Sequence, residues 1–286
     1  MAHEFNTELT AQEEWGWLLA LDLFFGGLGG GLFLLFLLFG LSSSIAVLSL
    51  VFVALGAVVL MVELGHPLRA WRALCKPFSS WISRGVFFVT FFIVFGALYS
   101  ASGFDSFVWL APGSDAAKST IAVIAGLSAL MVTLYPGFVL AASPSIPFWS
   151  SPLLPVIFCF HSLMVASGLL FLIAPLGLEV RALQSISYLG AILIIANFVL
   201  GAMYLAASKK SGLAAKESVR RLNKGSLGWT FNLGVVLIGM VVPLLLVLWS
   251  PPAIALAGAG LFILIGGLLF RYCVLKAGVY VPFALT

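Results

Sequence analysis

Charge is what this 286-residue sequence has least of. Lys and Arg number 14, Asp and Glu 10, and only 8% of the chain is charged, while 62% is apolar. A soluble domain carries roughly 25% charged residues. This chain therefore has too little polar surface to cover a water-soluble globule of its size. That excludes a cytosolic enzyme, a nucleic-acid binder and a disordered segment. Cysteine is scarce too: Cys75, Cys159 and Cys273 form no CxxC and no close group. An iron–sulfur cluster takes about four thiolates, so the chain is expected to hold none. Histidine is limited to His3, His66 and His161. Only His161 lies well inside an apolar run, which excludes a pair of transmembrane haems, and no HExxH or other metal spacing occurs. No haem and no metal site is expected.

What is present is long apolar runs. About 20 apolar residues span a bilayer as a helix, and eight such stretches can be read. They are Trp15–Phe39, Ile45–Leu64, Gly85–Ser102, Thr120–Ala141, Leu153–Leu176, Leu183–Ala207, Gly228–Trp249 and Ile254–Leu275. The expected fold is an all-α integral membrane protein of eight transmembrane helices. It is a single domain over 1–286, arranged as two four-helix bundles of about 15–141 and 153–275. The first run is too long for a signal peptide and lacks a basic leader.

Eight spans put both termini on one side of the membrane. The segments on that side hold Arg69, Arg72, Lys76, Arg84, Lys209, Lys210, Lys216, Arg220, Arg221, Lys224, Arg271 and Lys276, leaving only Lys118 and Arg181 opposite. Basic residues mark the cytoplasmic loops. The expected location is therefore the inner (cytoplasmic) membrane, with both termini cytoplasmic. The loops 66–84 and 209–227 are long for plain connections and suggest a docking surface for a soluble partner.

An ionisable side chain at the centre of a span costs roughly 3 kcal/mol on the insertion scale, so such residues are the first candidates for function. Asp22 lies about two turns into helix 1, with Gly26, Gly29 and Gly30 following at helical spacing. The run Gly26–Gly31 lies inside a membrane helix, follows no strand and has no partner Lys, so it reads as helix packing and not as a phosphate loop. Glu63 closes helix 2, followed by His66. Arg84 opens helix 3. Tyr135 precedes Pro136-Gly137, a pair expected to bend or loosen helix 4 and free backbone groups. His161 lies about two turns into helix 5, Asn232 opens helix 7 and Arg271 closes helix 8. All fall in the half of the membrane nearer the basic loops, and the other half is nearly bare of charge. Singly, each admits a structural reading: Glu63 and Arg84 as interface anchors, His161 as a packing histidine, Tyr135 as a belt tyrosine. Their shared depth suggests one polar pocket beneath the basic face.

A quinone headgroup suits such a pocket. Its carbonyl oxygens need donors, which Tyr and His supply. A buried carboxylate such as Asp22 can take a quinol proton, and the isoprenoid tail fits an apolar slot between helices. A proton-coupled secondary transporter with Asp22 as its ion site is the alternative, although it calls for polar groups reaching both faces. A purely structural anchor is a third reading.

The segment from Glu63-Leu64-Gly65-His66-Pro67 to Leu74, with Ser79-Ser80-Trp81-Ile82-Ser83-Arg84-Gly85, resembles the polysulfide reductase/NrfD-like membrane subunits. So do Trp15-Gly16-Trp17 with Gly26–Gly31, Tyr135-Pro136-Gly137 with Pro147-Phe148-Trp149, and Arg271-Tyr272-Cys273 through Gly278. The resemblance runs along the whole chain. It implies a quinone-reactive membrane anchor with no cofactor of its own, carrying the quinone half-reaction of a respiratory oxidoreductase with menaquinone or ubiquinone as substrate. The implied partners are a four-cluster ferredoxin-like iron–sulfur subunit and a molybdopterin catalytic subunit acting on sulfur, arsenic, selenium or formate compounds, or a multihaem cytochrome. Tyr135 matches the family's helix 4 tyrosine. In polysulfide reductase the position of Asp22 looks to be a histidine. On this reading Asp22, Tyr135 and His161 carry the quinone chemistry, Glu63, His66, Arg84 and Asn232 line the pocket and its mouth, and the partner docks on the basic, cytoplasmic face.

Overall fold

The computed structural model describes residues 9–63, 80–110, 113–177, 180–249 and 253–281. Helices dominate: α1 (Trp17–Phe39), α2 (Ser43–Glu63), α3 (Trp81–Ala101), α4 (Asp115–Ala141), α5 (Leu153–Ile173), α6 (Val180–Ser208), α7 (Leu213–Asn223), a π-helical stretch (Thr230–Val241) continued by α8 (Val242–Leu248), and α9 (Ala253–Lys276). Eight of the described helices are long and apolar enough to cross a membrane, the π-helix and α8 counting as one. Among the described residues there is no strand, only an isolated bridge between Ala11 and Val279. The expected eight-span, all-helical fold is what the chain adopts.

Burial separates central from peripheral spans. The best-packed windows of α1 and α5 are 67% and 72% buried, against 28% and 22% in α2 and α3. So α1 and α5 form the middle, and α2 and α3 leave most of their surface to lipid. In hydrocarbon there is no hydrophobic drive between helices, so close backbone packing has to hold them. The glycine run in α1 supplies it on several flanks at once. A Cβ on Gly29 would strike the Ser49 carbonyl and Val53 of α2. One on Gly30 would lie 3.0 Å from the Ala129 carbonyl of α4, and one on Gly31 2.6 Å from the Ser162 carbonyl of α5. Through these contacts α1 packs on α2, α4, α5 and α9, and α4 also packs on α5, so the two halves of the sequence share one core.

Three local features differ from the sequence expectation. Helix α3 begins at Trp81, a turn earlier than expected, because Ser80 caps it by accepting from the Ser83 N–H. That puts Arg84 inside the first turn. Helix α4 runs unbroken through Pro136, which costs only the Val132 carbonyl its helical donor. The following glycine has a packing reason, since a Cβ on Gly137 would collide with the backbone of Pro155. The expected basic loop 209–227 is largely helical. Helix α7 buries Ala214, Ala215, Ser218, Val219 and Leu222 against its neighbours and turns Lys216 and Arg220 to solvent. On its outer face Arg220 bonds Glu217 at 2.6 Å and holds that carboxyl below the usual carboxylate range.

One end of the molecule is tied by its aromatic side chains and terminal backbone segments. Trp15 stacks on Trp149 at 5.0 Å and Trp17 on Tyr272 at 4.0 Å. The Trp149 indole donates to the Val274 carbonyl, and the Tyr204 hydroxyl to that of Phe148. Gln12 and Tyr280 bond across the termini through Gly278 and Thr10, and Val281 reaches Ser145. Both described termini therefore lie on one face, as an even number of spans requires. Replacing Gly31 with Val should lower stability by roughly 1–3 kcal/mol, read as a lower melting temperature in detergent, whereas Gly16→Ala, where a Cβ meets nothing, should leave it unchanged.

Candidate functional site

The polar residues of the spans gather on two flanks of α1. On the first flank Asp22 faces α2 and is 5% exposed. It sits over a glycine: a Cβ on Gly56 would lie 3.3 Å from Asp22 Oδ1. One turn further along α1, a Cβ on Gly26 would meet no atom within 4 Å. Gly26 thus leaves open space one turn from the carboxylate, whereas Gly56 packs its backbone closely against α1. Glu63 at the end of α2 acts electrostatically on Asp22, and Asp22 on the Tyr135 phenol of α4. The Tyr135 ring lies against Gly85 of α3, where a Cβ would come within 2.5 Å of it. Arg84, the neighbour of Gly85, stacks its guanidinium 4.5 Å above Trp81, whose ring stacks on Phe138 of α4.

Four helices therefore bring Asp22, Glu63 and Tyr135 together, with Arg84 at the edge. Among the described residues neither the Asp22 carboxylate nor the Tyr135 hydroxyl has a hydrogen-bond partner, and Glu63 Oε2 is buried without one. Buried polar groups are normally paired, so the unpartnered Glu63 Oε2, within electrostatic reach of the unpartnered Asp22 carboxylate, points to a ligand or water. His66 lies outside the described residues, as do Arg69, Arg72 and Lys76.

The second flank of α1 holds a cluster whose members His161 and Arg271 the sequence placed by depth but did not pair. Arg271, read from sequence as closing the last helix, is 0% exposed. Its Nε donates to the Leu23 carbonyl of α1 at 2.9 Å. One terminal nitrogen bonds His161 Nδ1 at 3.1 Å and the Gly267 carbonyl at 3.1 Å, and the other donates to Ser162 Oγ at 3.1 Å. The rings of Phe24 and Phe158 flank the guanidinium at 5.7 and 6.0 Å. His161 stacks on Phe270 at 4.1 Å, and its Nε2 is buried without a partner among the described residues. No described carboxylate forms an ion pair with Arg271. The sequence signal was available: five residues follow Arg271 before α9 ends at Lys276, too many for an interface anchor to be at the surface.

Asn232 stands apart from both flanks. It is exposed and donates to the carbonyls of Asn223 and Gly228, tying the start of the π-helix to the end of α7. A cavity of about 430 Å³ lies between α2 and α3 and is lined by Val47, Leu50, Val94 and Phe104 among others. Val47 and Glu63 are separated along α2 by about 24 Å of helix, so this apolar space is at the opposite end from Asp22.

Comparison with known proteins gives a consistent result. The family model described as polysulphide reductase, NrfD, matches residues 6–283. The sequence is similar to Protein NrfD of Escherichia coli (strain K12), with 27% identity over 92% of its own length and 94% of that protein. It is also similar to the C subunit of the polysulfide reductase of Wolinella succinogenes, with 24% identity over 92% of its own length and 94% of that subunit.

The buried cluster should matter to stability far more than the exposed charges. Arg271→Met strands His161, Ser162 and two backbone carbonyls in the interior and should cost on the order of 3 kcal/mol. Arg220→Ala removes only an exposed pair and should leave the melting temperature of the purified protein unchanged.

Proposed function

The chain belongs to the polysulphide reductase NrfD family of membrane proteins, and on that premise we propose that it is the quinone-reactive membrane subunit of a multi-subunit respiratory oxidoreductase. One observation carries the reading: Asp22 lies within electrostatic reach of Glu63 and Tyr135, and none of the three has a hydrogen-bond partner among the described residues. A quinone is the membrane-soluble ligand whose chemistry fits. Its headgroup presents oxygens that accept from a phenol or imidazole and, when reduced, hydroxyls that donate to a carboxylate.

In the direction of quinol oxidation, the quinol gives up both hydroxyl protons and an electron pair. Asp22 accepts the two protons in turn as general base while Tyr135 holds a headgroup oxygen. Glu63, with Arg84 at the edge, passes each proton on to water. The electron pair leaves to a partner, for which a ferredoxin-like iron–sulfur subunit attached to a molybdopterin enzyme or multihaem cytochrome is the natural acceptor. In the reverse direction the same groups deliver protons to the quinone. The open space at Gly26 is the position we assign to the headgroup, and the lipid-facing surfaces of α2 and α3 offer the tail an apolar path. The basic face that carries Arg84, Lys216 and Arg220 is the cytoplasmic side on this reading, and the partner docks there.

Asp22→Asn and Tyr135→Phe should each lower quinol-linked turnover of the assembled complex about 100-fold without loss of assembly. Wild-type turnover in both variants would exclude the reading. Gly26→Leu, which fills the space beside Asp22, should act instead by raising KM for the quinol.

A further inference from the structure

The contact between Arg271 and His161 settles a question of hydrogens. A guanidinium can only donate, so at 3.1 Å from Arg271 the Nδ1 atom of His161 must be the acceptor and carries no hydrogen. The imidazole is then neutral, and its single proton sits on Nε2. That nitrogen is buried and has no acceptor among the described residues. The guanidinium has a donor to spare as well, since four of its five N–H groups are accounted for by Leu23, His161, Gly267 and Ser162.

We infer that Arg271 is a positioning residue that fixes His161 as an Nε2–H donor, aimed at an oxygen atom of a bound molecule. The inference rests in part on the quinone reading, which names one source of that oxygen, a carbonyl of a quinone lying on this second flank of α1. A buried water is the other. The geometry also divides the labour. While Arg271 holds Nδ1, His161 can donate but has no free lone pair on which to accept a proton, so proton uptake falls to Asp22 on the opposite flank of α1. Arg271 further grips the carbonyl of Leu23, the residue after Asp22. The same side chain therefore sets the position of α1 where the carboxylate emerges. Ser162 completes the clamp: its hydroxyl donates to the Phe158 carbonyl at 2.7 Å and accepts from Arg271.

The ring nitrogens of His161 report this directly. The sequence has three histidines, so nitrogen-15 NMR of histidine-labelled protein in lipid nanodiscs resolves few signals, and the loss of one in His161→Gln assigns it. The expected wild-type result is one bare nitrogen, Nδ1, and one protonated nitrogen, Nε2. An imidazolium, or a proton on Nδ1, overturns the inference, and this measurement needs no Arg271 variant to fold. Arg271→Lys, which keeps a donor, should retain the Nε2–H form, and Arg271→Gln should give a mixture of tautomers. An unchanged tautomer in Arg271→Gln removes the role from Arg271. Adding a short-chain ubiquinone analogue should shift the Nε2 signal if a carbonyl is the acceptor. With the tautomer as expected and no shift on addition, the acceptor is water. In the assembled complex Arg271→Gln should raise KM for the quinol about tenfold, as loss of one buried hydrogen bond does, with Arg271→Lys in between. A quinone reading that fails at Asp22 and Tyr135 leaves the tautomer result standing, so the two failures are distinguishable.

Discussion

Close approach of α1 to its neighbours is the constraint on which the rest depends. Lipid tails are as apolar as leucine, so helices in a bilayer gain little by burying leucine against leucine. They hold together where backbones can touch. Four glycines between Gly27 and Gly31 give α1 such contacts in different directions: Gly27 at Arg271 and Ser162, Gly29 at α2, Gly30 at α4 and Gly31 at α5. No single-sided small-residue motif does this. The consequence is a central helix in contact with both halves of the sequence, and the polar residues it carries are screened from lipid.

That position makes the two polar flanks of α1 possible. Ionisable groups are tolerated inside a span when they face protein and find partners. Arg271 finds them in an imidazole, a hydroxyl and two carbonyls, with aromatic faces on either side. Asp22 does not. Two glycines, a glutamate and a phenol lie near it, and among the described residues no cation forms an ion pair with the carboxylate. The Leu23 carbonyl links the two flanks. A buried cation with four of its five N–H groups bonded thus grips the residue next to a buried acid that has no hydrogen-bond partner among the described residues, and a helix turns consecutive side chains to different faces.

Much of the fold was legible from residue types. The eight apolar runs, the depth of Asp22 and Tyr135, and the packing role of the glycine run all follow from the cost of polar atoms in hydrocarbon. Boundaries were less so. Ser80 starts α3 early through a side-chain cap, and α7 forms from a stretch rich in Lys and Arg because its few small apolar residues fall on one face. The sequence placed His161 and Asn232 in the same pocket as Asp22 by depth alone. Depth fixes a level in the membrane but not an azimuth. Asn232 faces outward at the end of α7, and His161 points to Arg271 across α1 from the carboxylate.

The amino-acid sequence by itself determined the solvent, the number of crossings and the level at which polar groups sit, because each is set by summed transfer energies along a single helix. The family, too, is a matter of sequence. Only tertiary structure decided which of those groups meet. It paired Arg271 with His161 across 110 positions of the sequence, set Asp22 within electrostatic reach of Glu63 and Tyr135 with no hydrogen-bond partner among the described residues, and set Asn232 aside. Those outcomes depend on the rotation of each helix about its axis, and that rotation is fixed by contacts between backbones distant in sequence, above all at the glycines of α1.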